Sequence, residues 1–193
     1  MNFTTQINNW YYVNKRNLPW RHNKDPYSVW LSEIILQQTK IQQGLPYYSR
    51  FMERYPNVYS LSDAKEQDIL KLWEGLGYYS RARNLHKTAK LIVSDHKGIF
   101  PTTYSELLNL PGVGKYTASA ISSICFEEKK AVLDGNVFRL LSRYFNIDTP
   151  INSSLGIKSF EKLSFELLPK VNIGDHNQAL MDFGSTICKP KLA

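Results

Sequence analysis

Helix-stopping punctuation, more than any long periodic run, constrains what this chain can fold into. Proline, glycine and short polar cap residues break it at close intervals, and no stretch alternates apolar with polar residues as a half-buried strand does. The segments between breaks read as short helices. Asp25-Pro26 pairs an N-cap type with proline at the first helical position and opens a helix through about residue 38. A second runs from about 41 towards 54. Ser62 and Asp63 are expected to cap a third, which carries Ile69, Leu72 and Trp73 up to the Gly75-Leu76-Gly77 break. Leu85, Ala89 and Ile92 recur at i, i+4 and i+7 as one apolar stripe, with Gly98 where a C′ glycine ends a helix. Further helices are expected over 116–125, 136–145, 158–168 and 176–187. The class is all-α, without internal repeat or low-complexity linker.

A chain of 193 residues with 42% hydrophobic content is long enough for one generous core or two small lobes, which argues against disorder. Its 24 Lys and Arg against 17 Asp and Glu leave a formal charge of +7. That balance suits a polyanionic partner or an acidic membrane surface, and equally a solvated basic face. The amino terminus lacks the basic region and apolar run of a secretion signal, and no apolar stretch approaches membrane-spanning length. Two cysteines, Cys125 and Cys188, are too few for a disulfide framework and fit a reducing compartment. The expectation is a soluble, cytoplasmic protein.

Three segments carry candidate chemistry. In Trp30-Leu31-Ser32-Glu33-Ile34-Ile35-Leu36, a helix gives Glu33 the neighbours Val29, Trp30 and Leu36 on its own face. Desolvation raises a carboxyl pKa, so a glutamic acid there can donate a proton near neutral pH; a Glu reaching an Arg or a helix amino terminus is the structural alternative. Leu110-Pro111-Gly112-Val113-Gly114-Lys115-Tyr116-Thr117 resembles a Walker loop only superficially, since four residues between the glycines and a Ser or Thr after the lysine are missing. It matches better a helix-hairpin-helix, with 103–110 as first helix, whose backbone N–H groups grip a DNA backbone without reading bases; a plain glycine turn serves as well. In Val132-Leu133-Asp134-Gly135-Asn136-Val137, Asp134 or Asn136 can simply cap the next helix. If Asp134 pairs with Glu33, the two supply the acid and the cation-steadying carboxylate that glycosidic cleavage needs.

Leu18-Pro19-Trp20-Arg21, Leu31-Ser32-Glu33 with Leu36-Gln37-Gln38-Thr39, Gly75-Leu76-Gly77-Tyr78-Tyr79-Ser80-Arg81-Ala82-Arg83-Asn84-Leu85, the hairpin, Leu133-Asp134-Gly135-Asn136-Val137 and Asn177-Gln178-Ala179-Leu180-Met181-Asp182-Phe183-Gly184 occur in order at compatible spacing. From about Trp10 to Cys188 the chain resembles the MutY-type adenine DNA glycosylases of the helix-hairpin-helix superfamily. The resemblance implies two α-helical lobes with DNA in the cleft between them. One lobe would be 1–24 plus 131–193, a truncated cluster lobe; the other would be a six-helix lobe, 25–130, with the hairpin at about 103–125. Glu33 resembles the acid that protonates adenine N7, and Asp134 the carboxylate that stabilises the sugar cation. Tyr116 and Asn136 resemble their hydrogen-bond partners. Trp20, Arg21, Leu36 and Asp182 match positions around the extruded adenine; Gln38 and Tyr78 match residues entering the base stack; Gly112, Val113, Gly114 and Lys115 match the DNA-gripping hairpin. Extrusion is needed because the bond to be cut is inaccessible within a duplex.

Relatives that also nick the strand place a lysine nucleophile two residues after the second hairpin glycine. Here that residue is Tyr116, and Lys115 lies roughly 100° around a helix from it. The resemblance therefore implies a monofunctional, bacterial-type, nucleoid-associated enzyme, a monomer that removes adenine opposite 8-oxoguanine or guanine in double-stranded DNA. MutY-type enzymes continue past Cys188 into a four-cysteine loop holding a [4Fe-4S] cluster and then a domain recognising 8-oxoguanine. Here the sequence ends five residues after Cys188, which matches only the first cluster ligand, so no cofactor is expected. A fragment and a natural variant both fit. A non-catalytic DNA-binding remnant and a glycosylase for another mispaired base, such as thymine, are the other readings open.

Overall fold

The computed structural model describes residues 2–191. They fold into eleven α-helices and one 3-10 turn, with no strand among the described residues, so the all-α expectation holds. The chain divides into two compact units, one built from the residues up to Leu18 and those from Ser122 onward, the other spanning Pro19–Ile121. The sequence reading had drawn these boundaries at 24/25 and 130/131.

In the unit Pro19–Ile121, a 3-10 turn at Pro19–Arg21 precedes α2 (Pro26–Leu36). The Asp25 carboxylate accepts from Ser28 N–H at 2.8 Å, and Pro26 occupies a first-turn position where no N–H is needed. α2 is a core helix: from Tyr27 to Ile35 every residue is buried except Glu33. α3 (Ile41–Arg54) and α6 (Ser80–His96) pack on it, and Phe51, Trp73, Leu85 and Ile92 help fill the space around it. α6 closes with Lys97 in the left-handed conformation and Gly98 N–H donating to Ile92 O at 2.8 Å, the expected C′ glycine.

One expected cap is corrected. Ser62 and Asp63 do not start a helix; they end α4 (Val58–Ser62), which Asn57 caps by accepting from Ser60 N–H at 2.9 Å while Ser60 reciprocates. α5 (Glu66–Leu72) then begins without a side-chain cap. The first hairpin helix is also shorter than expected, α7 (Tyr104–Leu107), started by a reciprocal Thr103–Glu106 capping box. The unit boundary falls within α8 (Lys115–Phe126).

In the other unit, α1 (Phe3–Asn14) and α9 (Gly135–Tyr144) pack against α11 (Ile173–Thr186), joining the first helix of the chain to the last. Phe3, Ile7, Tyr11, Val137, Leu140, Leu141, Phe160, Ala179 and Leu180 form this core. Phe160 comes from α10 (Ser154–Glu166), which starts four residues upstream of the expected 158 and is capped by Ser153. Gly184 sets the approach of α11 to α9: a Cβ there would stand 2.7 Å from Asn136 O. No helix among the described residues is long and apolar enough to cross a membrane.

Candidate active site

Glu33 interrupts an otherwise buried face. Its i−4 and i−3 neighbours, Val29 and Trp30, are buried, and Leu36, one turn on, is half-buried with Glu33 itself. Trp30 packs edge-on against Phe100 with ring centroids 5.4 Å apart. The nearby Trp20 is a buried residue of the 3-10 turn, in T-shaped contact with Tyr48 at 5.0 Å. Arg21 follows it, half-buried.

The hairpin abuts the end of α2. Gln37 Nε2 donates to Gly112 O at 3.2 Å, a link that joins the segment after Glu33 to the glycine turn. Gly112 has φ 76°, open to glycine at little cost, and a Cβ there would meet Asn84 Cβ at 2.8 Å. Gly114 differs: its φ is ordinary, and nothing lies within 4 Å of where its Cβ would be. Neither backbone conformation nor space within the fold requires a glycine at this position. Val113 is buried and anchors the turn, its N–H donating to Leu110 O at 3.1 Å, while Lys115 is exposed and Tyr116 half-buried at the start of α8. From α6, Thr88 donates to Pro111 O at 2.8 Å, so Asn84 and Thr88, one turn apart, buttress the hairpin.

In the other unit, Asp134 and Asn136 meet. Asp134 caps α9: Oδ1 accepts from Asn136 N–H at 2.9 Å and Val137 N–H at 2.8 Å, while Oδ2 accepts from Asn136 Nδ2 at 2.7 Å. Arg139 bridges Asn136 Oδ1, at 2.9 Å, to Gly184 O on α11, at 2.6 Å. Asp182 is fully buried and accepts from Arg16 at three places: Nη2, Nε at 2.7 Å and the backbone N–H at 3.1 Å. Cys188 takes a hydrogen bond from Arg143 Nη1 at 3.3 Å, and neither it nor Cys125 is in a disulfide. Among the described residues, no three His, Cys, Asp or Glu side chains converge as metal ligands.

Sequence reasoning missed Gln37 and Arg81. Arg81 is buried and donates to carbonyls of Ile35, Gln37, Leu76 and Gly77, thereby tying the loop after α2 to the loop before α6. Its acceptors are backbone atoms, which leave no residue signature; only its place in the Ser80-Arg81-Ala82-Arg83 run hinted at it.

A model of the HhH-GPD superfamily of base excision DNA repair proteins matches residues 31–163, and the chain belongs to that superfamily. The chain is 46% identical over 187 residues to the adenine DNA glycosylase of Buchnera aphidicola subsp. Baizongia pistaciae, covering 96% of this chain and 53% of that protein. It is 43% identical to the adenine DNA glycosylase of Buchnera aphidicola subsp. Acyrthosiphon pisum, covering 98% of this chain and 55% of the relative. The chain thus spans about half the length of these curated relatives. Among solved structures, a thermostable thymine-DNA glycosylase superposes with a TM-score of 0.88 at 32% identity, covering 98% of this chain and 87% of that one.

Proposed function

We propose that the chain is the catalytic portion of a monofunctional adenine DNA glycosylase acting on adenine opposite 8-oxoguanine or guanine in duplex DNA. The observation that carries this is Glu33, the one unburied position between Tyr27 and Ile35 of a core helix. A carboxyl sharing a helix face with the buried Val29 and Trp30 is suited to protonating a leaving group out of bulk water. Glu33 gives its proton to adenine N7. The C1′–N9 bond then breaks, its electron pair going to the base, and Asp134 steadies the oxocarbenium-like sugar until water adds at C1′ and loses a proton. Lys115 and the N–H groups around Gly114 hold a phosphate, and Trp20, Arg21 and Leu36 shape the base pocket on the side of Glu33. Asp182, matched by the resemblance to the same pocket, is engaged by Arg16 within its own unit. The identity to adenine DNA glycosylases along nearly all of this chain supports adenine as the target.

A second reading is thymine in a mispair. It is favoured by the thymine-DNA glycosylase structure, a chain whose length this one nearly spans.

Single-turnover assays on duplexes carrying adenine, thymine or uracil opposite each base separate the two. Release of free adenine, lost in Glu33→Gln, supports the first; release of thymine alone supports the second. No release from any duplex overturns both. Borohydride trapping of a covalent DNA adduct in good yield contradicts the monofunctional assignment.

A further inference from the structure

Among the described residues, seven other than glycine hold a left-handed backbone, and two of these, Gln38 (φ 54°) and Tyr78 (φ 48°), lie on the two loops that one side chain joins. Neither Gln nor Tyr is a type that enters this region readily, as Asn and Asp do. Both side chains are exposed, Tyr78 at 67%, so neither pays its way in the core. Arg81, from the first turn of α6, supplies the restraint. Its Nη1 donates to Gln37 O at 2.5 Å and Ile35 O at 2.9 Å and lies 3.2 Å from Thr39 Oγ1, so its acceptors bracket Gln38 on both sides. Its Nη2 donates to Leu76 O at 3.1 Å and Gly77 O at 3.3 Å, the two residues before Tyr78, and the guanidinium carbon lies 5.8 Å from the Tyr78 ring centroid. Of these carbonyls, that of Ile35 is in the last turn of α2, that of Gln37 in the loop that follows it, and those of Leu76 and Gly77 in the loop before α6. Only a planar fork with separate donors on each arm reaches both loops; a lysine ammonium presents its donors at one point.

We propose that Arg81 is a positioning residue that holds Gln38 and Tyr78 as a preformed pair, so that both enter a DNA duplex together as a wedge beside the extruded nucleotide. This rests on the glycosylase reading of the chain. Side chains that part a base step do so best when already ordered, since ordering them on contact would consume binding energy.

The test is Arg81→Lys in the full chain, alone and combined with Gln38→Ala/Tyr78→Ala. The readouts are single-turnover release, fluorescence of 2-aminopurine beside the target base, and hydrogen exchange of 36–40 and 74–79. Arg81→Lys is expected to slow release about 100-fold, the scale of a small misplacement at a reacting site. It should remove the 2-aminopurine rise and leave the pH–rate profile of Glu33 unmoved. In the doubly substituted background the same change should cost no more than about twofold, the limit of additivity between uncoupled sites. An equal loss in both backgrounds overturns the proposal, because a merely structural Arg81 acts irrespective of the wedge. Wild type that releases no base fails the glycosylase reading separately. Exchange then decides Arg81: faster exchange confined to the two loops in Arg81→Lys supports it, and unchanged exchange refutes it.

Discussion

Asp134 has a structural duty and a proposed chemical one, and two substitutions pull them apart. The carboxylate accepts three hydrogen bonds at the start of α9, two from backbone N–H groups and one from Asn136 Nδ2. Asp134→Ala removes the cap, at about 1 kcal/mol, and the negative charge at a helix amino terminus, at up to about 1 kcal/mol more. The expected loss is thus about 2 kcal/mol in urea unfolding. Asp134→Asn keeps an oxygen for the α9 N–H groups but loses the charge and, with an NH2 in place of Oδ2, the acceptor for Asn136 Nδ2, so about 1–1.5 kcal/mol is expected. The rates should not follow that order. If the charge steadies a sugar cation, both variants lose it, and both should slow base release on the order of 100- to 1000-fold, the scale of removing one pre-placed electrostatic stabiliser. Single-turnover release, measured where each variant is fully folded, supplies the comparison. Asp134→Asn within about threefold of wild type, with Asp134→Ala slow only in proportion to its unfolded fraction, would refute the chemical role and leave Asp134 a cap.

His176 is fully buried on α11, Nδ1 2.8 Å from Asn8 Oδ1, and burial pulls its pKa from 6.5 down to about 4. Between those values the unfolded chain binds a proton that the folded one refuses, so stability falls as pH drops through this window. On this account the fold is about 2 kcal/mol less stable at pH 5 than at pH 7, and His176→Gln should flatten that slope; an identical slope in the variant sinks the assignment. Gly184→Ala places a Cβ 2.7 Å from Asn136 O, a backbone atom unable to swing aside, and should cost about 2 kcal/mol as α11 and α9 part. An unchanged melting temperature would mean that the two helices have room to adjust.

The fold was legible wherever a local rule had no competitor. Asp25-Pro26 fixes the start of α2, and the Leu85, Ala89, Ile92 stripe with Gly98 fixes the course and end of α6. It was misread where two caps compete within a few residues. Asn57 and Ser62 are both cap types, and the winner encloses a five-residue helix too short to show a period. The start of α10 was hidden by Gly156 in its first turn, a poor helix former tolerated because its missing Cβ lets Pro150 O approach.

The candidate carboxylates differ in how far their structural work explains them. The Arg16 contacts suffice to account for an aspartate at Asp182, yet they link positions 166 residues apart, a pairing no local pattern encodes. The cap suffices for Asp134, and sequence had left that reading open. Glu33 holds the one unburied position from Tyr27 to Ile35 of α2, where an apolar residue would extend the buried surface. Replacing Glu33 with Gln, nearly the same in shape, therefore bears on chemistry with little effect on packing, whereas the aspartates need paired substitutions before a lost activity can be told from a loosened helix.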